Sequence, residues 1–447
     1  MSSVGWREVK AFLEALELGE KIKPFQVAKR RVFSKYKLLG TGYDRLFTAL
    51  MYKMARMQGI LDRIVEQHTT YKVDRVPAII RQASRLAVYL AQFDETRDRE
   101  LADIIIKYTA RYIASRFREE DAETIKKLYS ELQRKPWKPA TKEEELELEY
   151  LLPIKLIESL EKLLGWSGVK AFAEEVNNPR PVLGFRVNRL KTNTEYIVEY
   201  LSSLGVEVWP SKRIEYHVSY RGTIDYSKLE ILEKGLVVPQ DEASTTAGYL
   251  LGAKSGDLIA DLCAAPGGKT THLAELSNNE AAIVAIDIYR DRLERLLELA
   301  WRTSTYTSIY ILEADSRRAS KLLPRSKFDR VVVDPPCTST GALLKEPEAR
   351  WRLKPRTLKR LVKLQREILE EAIKILKPGG RLLYSVCSIL PEEGEKQVEK
   401  LLESQEVELV ELKSPYEQSR LLRGTMRSWP HIHKTTGFFY ALLEKKK

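Results

Sequence analysis

The stretch D-L-C-A-A-P-G-G-K-T-T-H-L, from Asp261 to Leu273, follows an apolar strand pattern and leads into a helical pattern. Glycines between a strand and a helix let the backbone approach a ligand, and the start of a helix favours anionic or polar groups. Spacing excludes two common nucleotide-binding loops. A P-loop needs a glycine where this chain has Cys263, and the G-x-G-x-x-G of dinucleotide-binding folds is absent.

Downstream of this loop, strand patterns alternate with helical patterns, which predicts a mostly parallel α/β sheet covered on both faces. The predicted strands are 257–263, 282–288, 308–312, 330–334 and 381–387. Three aspartates lie at successive strand ends. Asp287 ends the second strand and suits ribose hydroxyls, Asp315 follows the third and suits the adenine amino group, and Asp334 ends the fourth, near the methionine end and the substrate. We therefore predict a Rossmann-type methyltransferase domain with S-adenosyl-L-methionine as cofactor.

Two of the three cysteines also lie at predicted strand ends, Cys337 in D-P-P-C-T-S-T-G and Cys387 in Y-S-V-C-S-I-L-P-E-E. The carboxyl ends of parallel strands border the ligand crevice of such sheets. Methyltransferases that act on the adenine amino group place an aromatic ring where this chain has Cys337. A thiol suits carbon 5 of cytosine instead, because a thiolate must first add to carbon 6. The residues alone leave open which cysteine attacks.

The chain resembles the Sun/RsmB-type RNA (cytosine-5)-methyltransferases over roughly residues 150–447. The matching stretches are L-C-A-A-P-G-G-K-T, A-I-D-I-Y-R-D-R-L, F-D-R-V-V-V-D-P-P-C-T-S-T-G, Y-S-V-C-S-I-L-P-E-E, F-R-V-N-R-L-K-T, V-P-Q-D-E-A-S and G-F-F-Y-A-L-L-E-K. The resemblance implies that Cys387 is the nucleophile, that Cys337 assists product release and that Asp334 contacts the cytosine. Val386 stands where the family usually has Thr, which bears on a hydroxyl contact rather than on the nucleophile.

The same resemblance implies a set of cofactor-binding residues, of which Cys263 is expected to pack as a small apolar side chain. The set is Cys263, Ala264, Ala265, Pro266, Gly267, Gly268, Lys269, Asp287, Arg292, Asp315 and Asp334.

A multidomain chain is predicted. Residues 1–140 form an all-α domain, because apolar positions recur at a helical spacing, as from Leu46 to Ile64. By pattern and placement it resembles the NusB-like RNA-binding domain fused to bacterial members of the family. Residues 141–232 are predicted to form a helical linker and a small α+β RRM-like domain. Residues 233–447 form the methyltransferase domain.

The net charge of +12 favours a polyanionic partner, above all nucleic acid. In the stretch from Lys21 to Lys37, Phe25, Phe33 and Tyr36 interleave with basic residues, which suits RNA unless the aromatic rings face the core. The other candidate RNA contacts are the RRM-like flank Arg186, Arg189 and Lys191, and the group Lys345, Arg350, Arg352, Lys354, Arg356, Lys359 and Arg360.

We expect an enzyme acting on RNA, with ribosomal RNA favoured over transfer RNA because of the NusB-like domain. We expect a monomer in the cytoplasm, without DNA, membrane or metal partners. Three cysteines form no disulfide framework or C-x-x-C zinc spacing, and the sequence has neither a signal-peptide pattern nor an apolar run of about 18 residues. Two alternatives are an RNA-binding assembly factor with an inert methyltransferase domain and an ATP-driven RNA enzyme, and Cys263 argues against the second.

Overall fold

The computed structural model describes residues 4–22, 25–96, 98–178, 180–222 and 224–447, so Lys23, which belongs to the predicted basic stretch, lies outside the described residues. The chain divides into two compact units. One consists of Met1–Glu158 with Glu346–Trp351, and the other of Ser159–Lys345 with Arg352–Lys447. The three-domain division remains a prediction.

The first unit is helical because apolar residues at three- and four-residue spacing line one face of each long helix. The predicted helical pattern from Leu46 to Ile64 is confirmed, and α8 is interrupted at Gly165, where φ is 70°. The helices are α1 (Trp6–Lys21), α2 (Phe25–Lys35), α3 (Gly42–His68), α4 (Ala78–Val88) followed by a π turn (Tyr89–Phe93), α5 (Arg99–Ala114), α6 (Glu119–Arg134), α7 (Lys142–Tyr150) and α8 (Ile154–Val176), which leads into the second unit.

Two of the aromatic residues expected to stack on RNA belong to the core of this unit. Phe25 and Phe33 are buried, and Phe33 meets the ring of Phe47 edge-on at 6.4 Å. The alternative in which these rings face the core is therefore correct for both. Tyr36 is partly exposed, and its hydroxyl donates to Glu14 at 2.8 Å.

A short segment from the C-terminal half of the chain completes the same helical unit. The indole of Trp351 donates to the carbonyl of Arg56 at 2.8 Å, and a Cβ on Gly59 would lie 2.1 Å from the Trp351 ring. Arg350 is fully buried and donates to the carbonyl of Leu151 at 2.7 Å. Arg350 was expected to be a surface contact for RNA, and this expectation is wrong because its guanidinium is used inside the helical unit.

The second unit contains a small antiparallel sheet of order β2-β3-β1-β4, made of β1 (Leu183–Val187), β2 (Glu207–Pro210), β3 (His217–Arg221) and β4 (Val237–Pro239). Two helices accompany it, α9 (Thr194–Ser203) and α10 (Glu230–Glu233). Ile197 and Leu201 of α9 are buried in the cluster beside the sheet. β4 joins this sheet although it lies beyond residue 232.

Arg186 of β1 was expected on a basic RNA-binding flank, and this expectation is wrong. Its side chain is fully buried and forms an ion pair with Glu275 at 2.8 Å. Arg189 and Lys191, which follow β1, are exposed.

The larger sheet has the order β11-β12-β13-β9-β8-β5-β6-β7, with β10 pairing with β13. Its central strands are parallel, and each strand predicted for them is confirmed: β5 (Leu258–Asp261), β6 (Ala282–Asp287), β7 (Ile309–Glu313), β8 (Phe328–Val333) and β9 (Leu376–Val386). The sheet continues in an antiparallel extension that was not predicted from the sequence. It consists of β10 (Val407–Val410), β11 (Glu417–Gln418), β12 (Met426–Ser428) and β13 (Phe438–Lys445).

Helices follow or precede these strands: α11 (Glu242–Leu251), α12 (Gly268–Leu276), α13 (Arg290–Thr303), α14 (Ala319–Leu322), α15 (Pro355–Ile375), α16 (Glu395–Leu402) and α17 (Pro430–His433). The strand order reverses between β5 and β8, and open α/β sheets bind ligands in the crevice at such a switch point. Among the described residues, no helix is long and apolar enough to cross a membrane.

Candidate active site at the carboxyl edge of the parallel sheet

The predicted cofactor-binding residues from Cys263 to Lys269 lie in the turn after β5 and in the first two residues of α12. Gly267 has a φ of 104°, and a Cβ at this position would lie 2.8 Å from the side chain of Leu296. Both the positive φ and the close approach require glycine. Gly268 begins α12, and its carbonyl accepts a hydrogen bond from Arg186. The backbone is therefore drawn into a tight turn beside the switch point.

Asp261, at the end of β5, is a buried acid of this site that the sequence reading missed. Its carboxylate accepts hydrogen bonds from the hydroxyl of Thr270 at 2.8 Å and from the backbone N–H of Cys263 at 3.3 Å. Burial raises the pKa of Asp261 to about 6. The available signal was its position directly before the L-C-A-A-P-G-G turn, at a predicted strand end.

Cys263 lies among several carboxylates. Burial, followed by Asp261, Asp334 and Asp287, raises the pKa of the Cys263 thiol well above its ordinary value. The thiol is therefore neutral, and it packs against the apolar core of the sheet, as expected. A crevice bordered by carboxylates suits a positively charged ligand such as a sulfonium.

Asp287, at the end of β6, braces the glycine-rich turn. Its carboxylate accepts from the N–H of Ala265 at 3.3 Å and from the N–H of Tyr289 at 3.1 Å. Arg292 lies 3.3 Å from the same carboxylate and donates to the carbonyl of Ala265. An ionised carboxylate has further lone pairs, so Asp287 can also accept hydrogen bonds from ligand hydroxyls.

Asp315 follows β7 and is held by its own turn. Its carboxylate accepts from the N–H of Arg317 at 3.0 Å and pairs with the Arg317 guanidinium at 2.6 Å. The hydrogen bond from Arg317 lowers the pKa of Asp315. Because this carboxylate is already engaged, a contact with the adenine amino group remains a prediction.

Asp334 and Lys269 form a partly buried ion pair between the loop after β8 and helix α12. The Lys269 ammonium also donates to the hydroxyl of Ser244 at 3.3 Å and lies 5.3 Å from the centroid of the Phe438 ring. Burial alone would lower the pKa of Lys269, but Asp334 and then Cys387 raise it above its ordinary value. Lys269 is therefore charged at neutral pH.

The structure brings Cys337 and Cys387 together. Their sulfur atoms lie 3.2 Å apart, either can be the hydrogen-bond donor, and both side chains are half-buried. The hydroxyl of Ser339 lies 3.8 Å from the Cys387 sulfur. The hydrogen bond with Cys387 and burial raise the pKa of the Cys337 thiol well above its ordinary value, so Cys337 is protonated at neutral pH.

Backbone contacts join the two loops that carry these cysteines. The N–H of Gly341 donates to the carbonyl of Cys387 at 3.0 Å, and the N–H of Ile389 donates to the hydroxyl of Thr340 at 3.2 Å. Val386, in the position where the family usually has Thr, is fully buried in the core of the sheet.

The predicted basic residues differ in their exposure, and several of them form ion pairs or hydrogen bonds. Lys345 is half-buried and pairs with Asp241 at 2.8 Å, whereas Lys29 pairs with Asp44 at 2.6 Å. Lys191 is exposed, although its ammonium also donates to the carbonyl of Arg302 at 2.7 Å. Among the described residues of the predicted groups, Lys35 is exposed although it lies 3.7 Å from Glu14. The other exposed cations of these groups are Lys21, Arg30, Arg31 and Lys37 in the first unit and Arg189, Arg352, Lys354, Arg356, Lys359 and Arg360 in the second.

Comparison with known proteins shows that the chain is similar to ribosomal RNA methyltransferases. Residues 248–444 match the family model for the 16S rRNA methyltransferase RsmB/F. The ribosomal RNA small subunit methyltransferase B of Escherichia coli O17:K52:H18 is 33% identical over 300 residues, which are 66% of this chain and 67% of that protein. The probable ribosomal RNA small subunit methyltransferase B of Synechocystis is 29% identical over 445 residues, covering 97% and 98% of the two chains.

Solved structures give the same result. The crystal structure of PH0851 is similar with a TM-score of 0.91 and 37% identity, covering 99% of both chains. The crystal structure of NSun6 from Pyrococcus horikoshii, solved with SFG, has a TM-score of 0.60 and 23% identity over 66% of this chain and 98% of that chain, and it shows likeness of fold. The chain belongs to the RsmB/F family of S-adenosylmethionine-dependent methyltransferases.

Proposed function

We propose that this protein transfers a methyl group from S-adenosyl-L-methionine to carbon 5 of a cytosine in structured ribosomal RNA. The main support is the distance of 3.2 Å between the sulfur atoms of Cys337 and Cys387 at the carboxyl edge of the parallel sheet. The relatives from Escherichia coli and Synechocystis that are named for the small subunit of ribosomal RNA favour that substrate over transfer RNA.

Carbon 5 of cytosine is a weak nucleophile until another nucleophile has added to carbon 6. The Cys387 thiolate bonds carbon 6, and the π electrons of the carbon 5–carbon 6 bond become available at carbon 5. S-adenosylmethionine would supply an electrophilic methyl carbon here: carbon 5 takes this methyl group as the methyl–sulfonium bond breaks, and S-adenosylhomocysteine leaves with that electron pair. A base then takes the carbon-5 proton, the double bond forms again, and the sulfur of Cys387 leaves as a thiolate.

The electrostatics of the site favour Cys387 over Cys337 as the nucleophile. Cys337 is protonated at neutral pH, since the hydrogen bond with Cys387 and burial both raise its pKa. Lys269 is charged, and Cys387 contributes to the rise in its pKa, so this cation interacts with the proposed nucleophile. Cys337 is left to assist release, and Asp334 contacts the cytosine, where a polar group can steady developing charge.

The cofactor is proposed to bind along the switch point. The turn from Cys263 through Gly267 and Gly268 to Lys269 contacts it, Asp287 with Arg292 holds the ribose, and Asp315 contacts the adenine. Carboxylates around Cys263 fit the positive charge of the sulfonium. Titration calorimetry with S-adenosylmethionine measures this binding, and a protein that does not bind the cofactor would be an inert assembly factor instead.

RNA is proposed to bind through exposed cations in more than one part of the chain. The helical domain contributes Arg30, Arg31, Lys35 and Lys37, and the second unit contributes Arg189 and the cations from Arg352 to Arg360. Contacts with phosphates release counterions, so affinity for RNA should fall steeply with added salt. The target cytosine must be unpaired or flipped out for its carbon 6 to reach a thiolate.

Covalent trapping tests the assignment of the two cysteines. With RNA and cofactor, the Cys337→Ala protein should accumulate an RNA adduct that survives denaturing electrophoresis, whereas the Cys387→Ala protein should form none. An adduct in the Cys387→Ala protein would reverse the two roles. Bisulfite mapping of cellular RNA with and without this protein then identifies the methylated cytosine.

A further inference from the structure

Glu393 is a fully buried carboxylate whose hydrogen bonds converge on the loop that carries Cys337. The N–H of Thr338 donates to its two oxygens at 3.0 and 3.3 Å, and the Thr338 hydroxyl donates at 2.5 Å. The side-chain amide of Gln365, from α15, donates to the same carboxylate at 2.9 Å. Three donor groups thus share two carboxylate oxygens.

Glu393 and Gln365 together hold both neighbours of Cys337. The Gln365 amide that donates to Glu393 also donates to the carbonyl of Pro336 at 2.9 Å, and Thr338 is bound by Glu393 directly. Pro336 and Thr338 flank Cys337 in the sequence. The backbone on each side of the thiol is therefore tied to one buried pair, Glu393 and Gln365.

The hydrogen bonds continue to the loop of the second cysteine. The Thr338 hydroxyl lies 3.3 Å from the hydroxyl of Ser388, the residue after Cys387. The Ser388 hydroxyl also lies 3.1 Å from the hydroxyl of Thr340. Glu393 itself is anchored through its carbonyl, which accepts a hydrogen bond from the Tyr384 hydroxyl at 2.5 Å. Glu393 thus lies at the point where the supports of both loops meet.

We propose that Glu393 is a positioning residue that holds Cys337 in place for the release step. This inference rests on the proposed function of Cys337 and goes beyond it by naming the group that orients the thiol. A carboxylate is needed because all three converging groups are donors, whereas a glutamine would direct its own N–H₂ at one of them. Glu393 contacts neither sulfur in the described structure, so it acts through Pro336, Cys337 and Thr338.

The test separates the two halves of the reaction under single-turnover conditions. In the Glu393→Gln protein, adduct formation by Cys387 should stay within about threefold of the native rate, while release slows by about tenfold or more, because small displacements of a reacting group cost large factors in rate. The covalent RNA complex should therefore accumulate, as in the Cys337→Ala protein. Without RNA or cofactor, alkylation of Cys337 by iodoacetamide, followed by mass spectrometry, should also change in rate.

Two variants make the result decisive. Glu371→Gln is a matched control, since Glu371 is a buried carboxylate that accepts the N–H of Ser320 at 2.8 Å away from both cysteine loops, and it should leave both steps unchanged. Thr338→Val removes one bond to Glu393 and retains the backbone donor, so it should slow release in the same direction by about threefold. If Glu393→Gln does not fold, the Thr338→Val protein tests the proposal by the same comparison, slower release with unchanged adduct formation.

The inference is overturned if release is unchanged in Glu393→Gln, if both steps slow equally, or if Glu371→Gln gives the same accumulation. Its failure is distinguishable from failure of the proposed function. If Cys337→Ala traps no adduct, the role proposed for Cys337 itself is wrong. If Cys337→Ala traps the adduct and Glu393→Gln does not, only the positioning role is wrong.

Discussion

Arg186 and Glu275 form two hydrogen bonds, of 2.8 and 3.1 Å, across 89 residues of sequence, and both side chains are almost completely shielded from solvent. Arg186 lies on β1 of the small sheet, and Glu275 lies on α12, which begins at the glycine-rich turn. Arg186 also donates to Gln240 at 2.5 Å and to the carbonyl of Gly268. A single guanidinium therefore joins the small sheet to α12, the helix that begins at the proposed cofactor-binding turn.

Replacing Arg186 alone should destabilise the protein strongly. Arg186→Met leaves the Glu275 carboxylate buried without its cation, and loss of one partner of such a pair costs about 3–5 kcal/mol. The double variant Arg186→Met with Glu275→Leu should recover much of this loss, because it buries no unpaired charge. Urea unfolding measures both, with Arg189→Met as an exposed control that should change stability by less than about 0.5 kcal/mol. A double variant no more stable than the single one would contradict the interpretation.

Asp261 should make stability fall as pH rises. Its folded-state pKa of about 6 lies above the ordinary 3.8, so the folded protein holds this proton more tightly than the unfolded chain between these values. The ionised form is therefore disfavoured in the folded state, by up to about 3 kcal/mol above pH 6. Asp261→Asn can keep both contacts, accepting from Cys263 and donating to the Thr270 hydroxyl.

The comparison is made by urea unfolding between pH 4 and pH 7. Relative to the native protein, Asp261→Asn should gain stability progressively as the pH rises from about 4 to about 6. A constant difference across this range would mean that Asp261 does not titrate there. Cofactor affinity should fall in the same variant, since a negative charge near the proposed sulfonium site is removed.

The sequence predicted the parallel part of the fold well because its signals are local. Each central strand contains a short apolar run, and an aspartate or cysteine ends the strand or follows it within two residues. Carboxyl ends of parallel strands meet at one edge, so Asp287, Asp334, Cys337 and Cys387 could be grouped before their positions were known.

What the sequence did not predict depends on contacts between distant segments. Arg186 and Arg350 look like surface cations in sequence, and only the folded chain supplies Glu275 and the carbonyl of Leu151 as their partners. The rings of Phe25 and Phe33 lie between basic residues in the sequence, yet the helix turns them toward the core. Glu393 is one of two glutamates in P-E-E, and nothing local distinguishes the buried one.

The pair of thiols should make the enzyme sensitive to peroxide. A disulfide bond is about 2.05 Å long, so the sulfurs of Cys337 and Cys387 need to approach by about 1.1 Å. One molecule of hydrogen peroxide would oxidise both thiols to a disulfide and be reduced to two molecules of water. Activity should fall with peroxide and return with dithiothreitol, and mass spectrometry of the joined peptides should show the loss of two hydrogen atoms.

Cys263→Ser is the matched control for this oxidation, because it removes the third thiol and leaves the pair intact. It should retain reversible inactivation, whereas the Cys337→Ser protein, whose release step is already impaired, should give no joined peptides on mass spectrometry after peroxide treatment. Since deprotonation of a thiol precedes attack, inactivation should accelerate as the pH rises above neutral, in accord with the raised pKa of Cys337. Inactivation that dithiothreitol never reverses would show oxidation of single cysteines instead.

Gly267 and Gly268 are adjacent but should respond differently to alanine. Gly267→Ala forces a side chain into a φ of 104° and toward Leu296 at 2.8 Å, so it should destabilise the protein by about 1–3 kcal/mol. Gly268 has no positive φ, and its Cβ would lie 3.2 Å from the side-chain amide of Gln240, which needs to move by only a few tenths of an ångström, so Gly268→Ala should cost less than about 1 kcal/mol. Thermal unfolding of the two variants side by side measures the difference. Equal losses would mean that crowding beside the turn, and not the left-handed conformation of Gly267, limits substitution there.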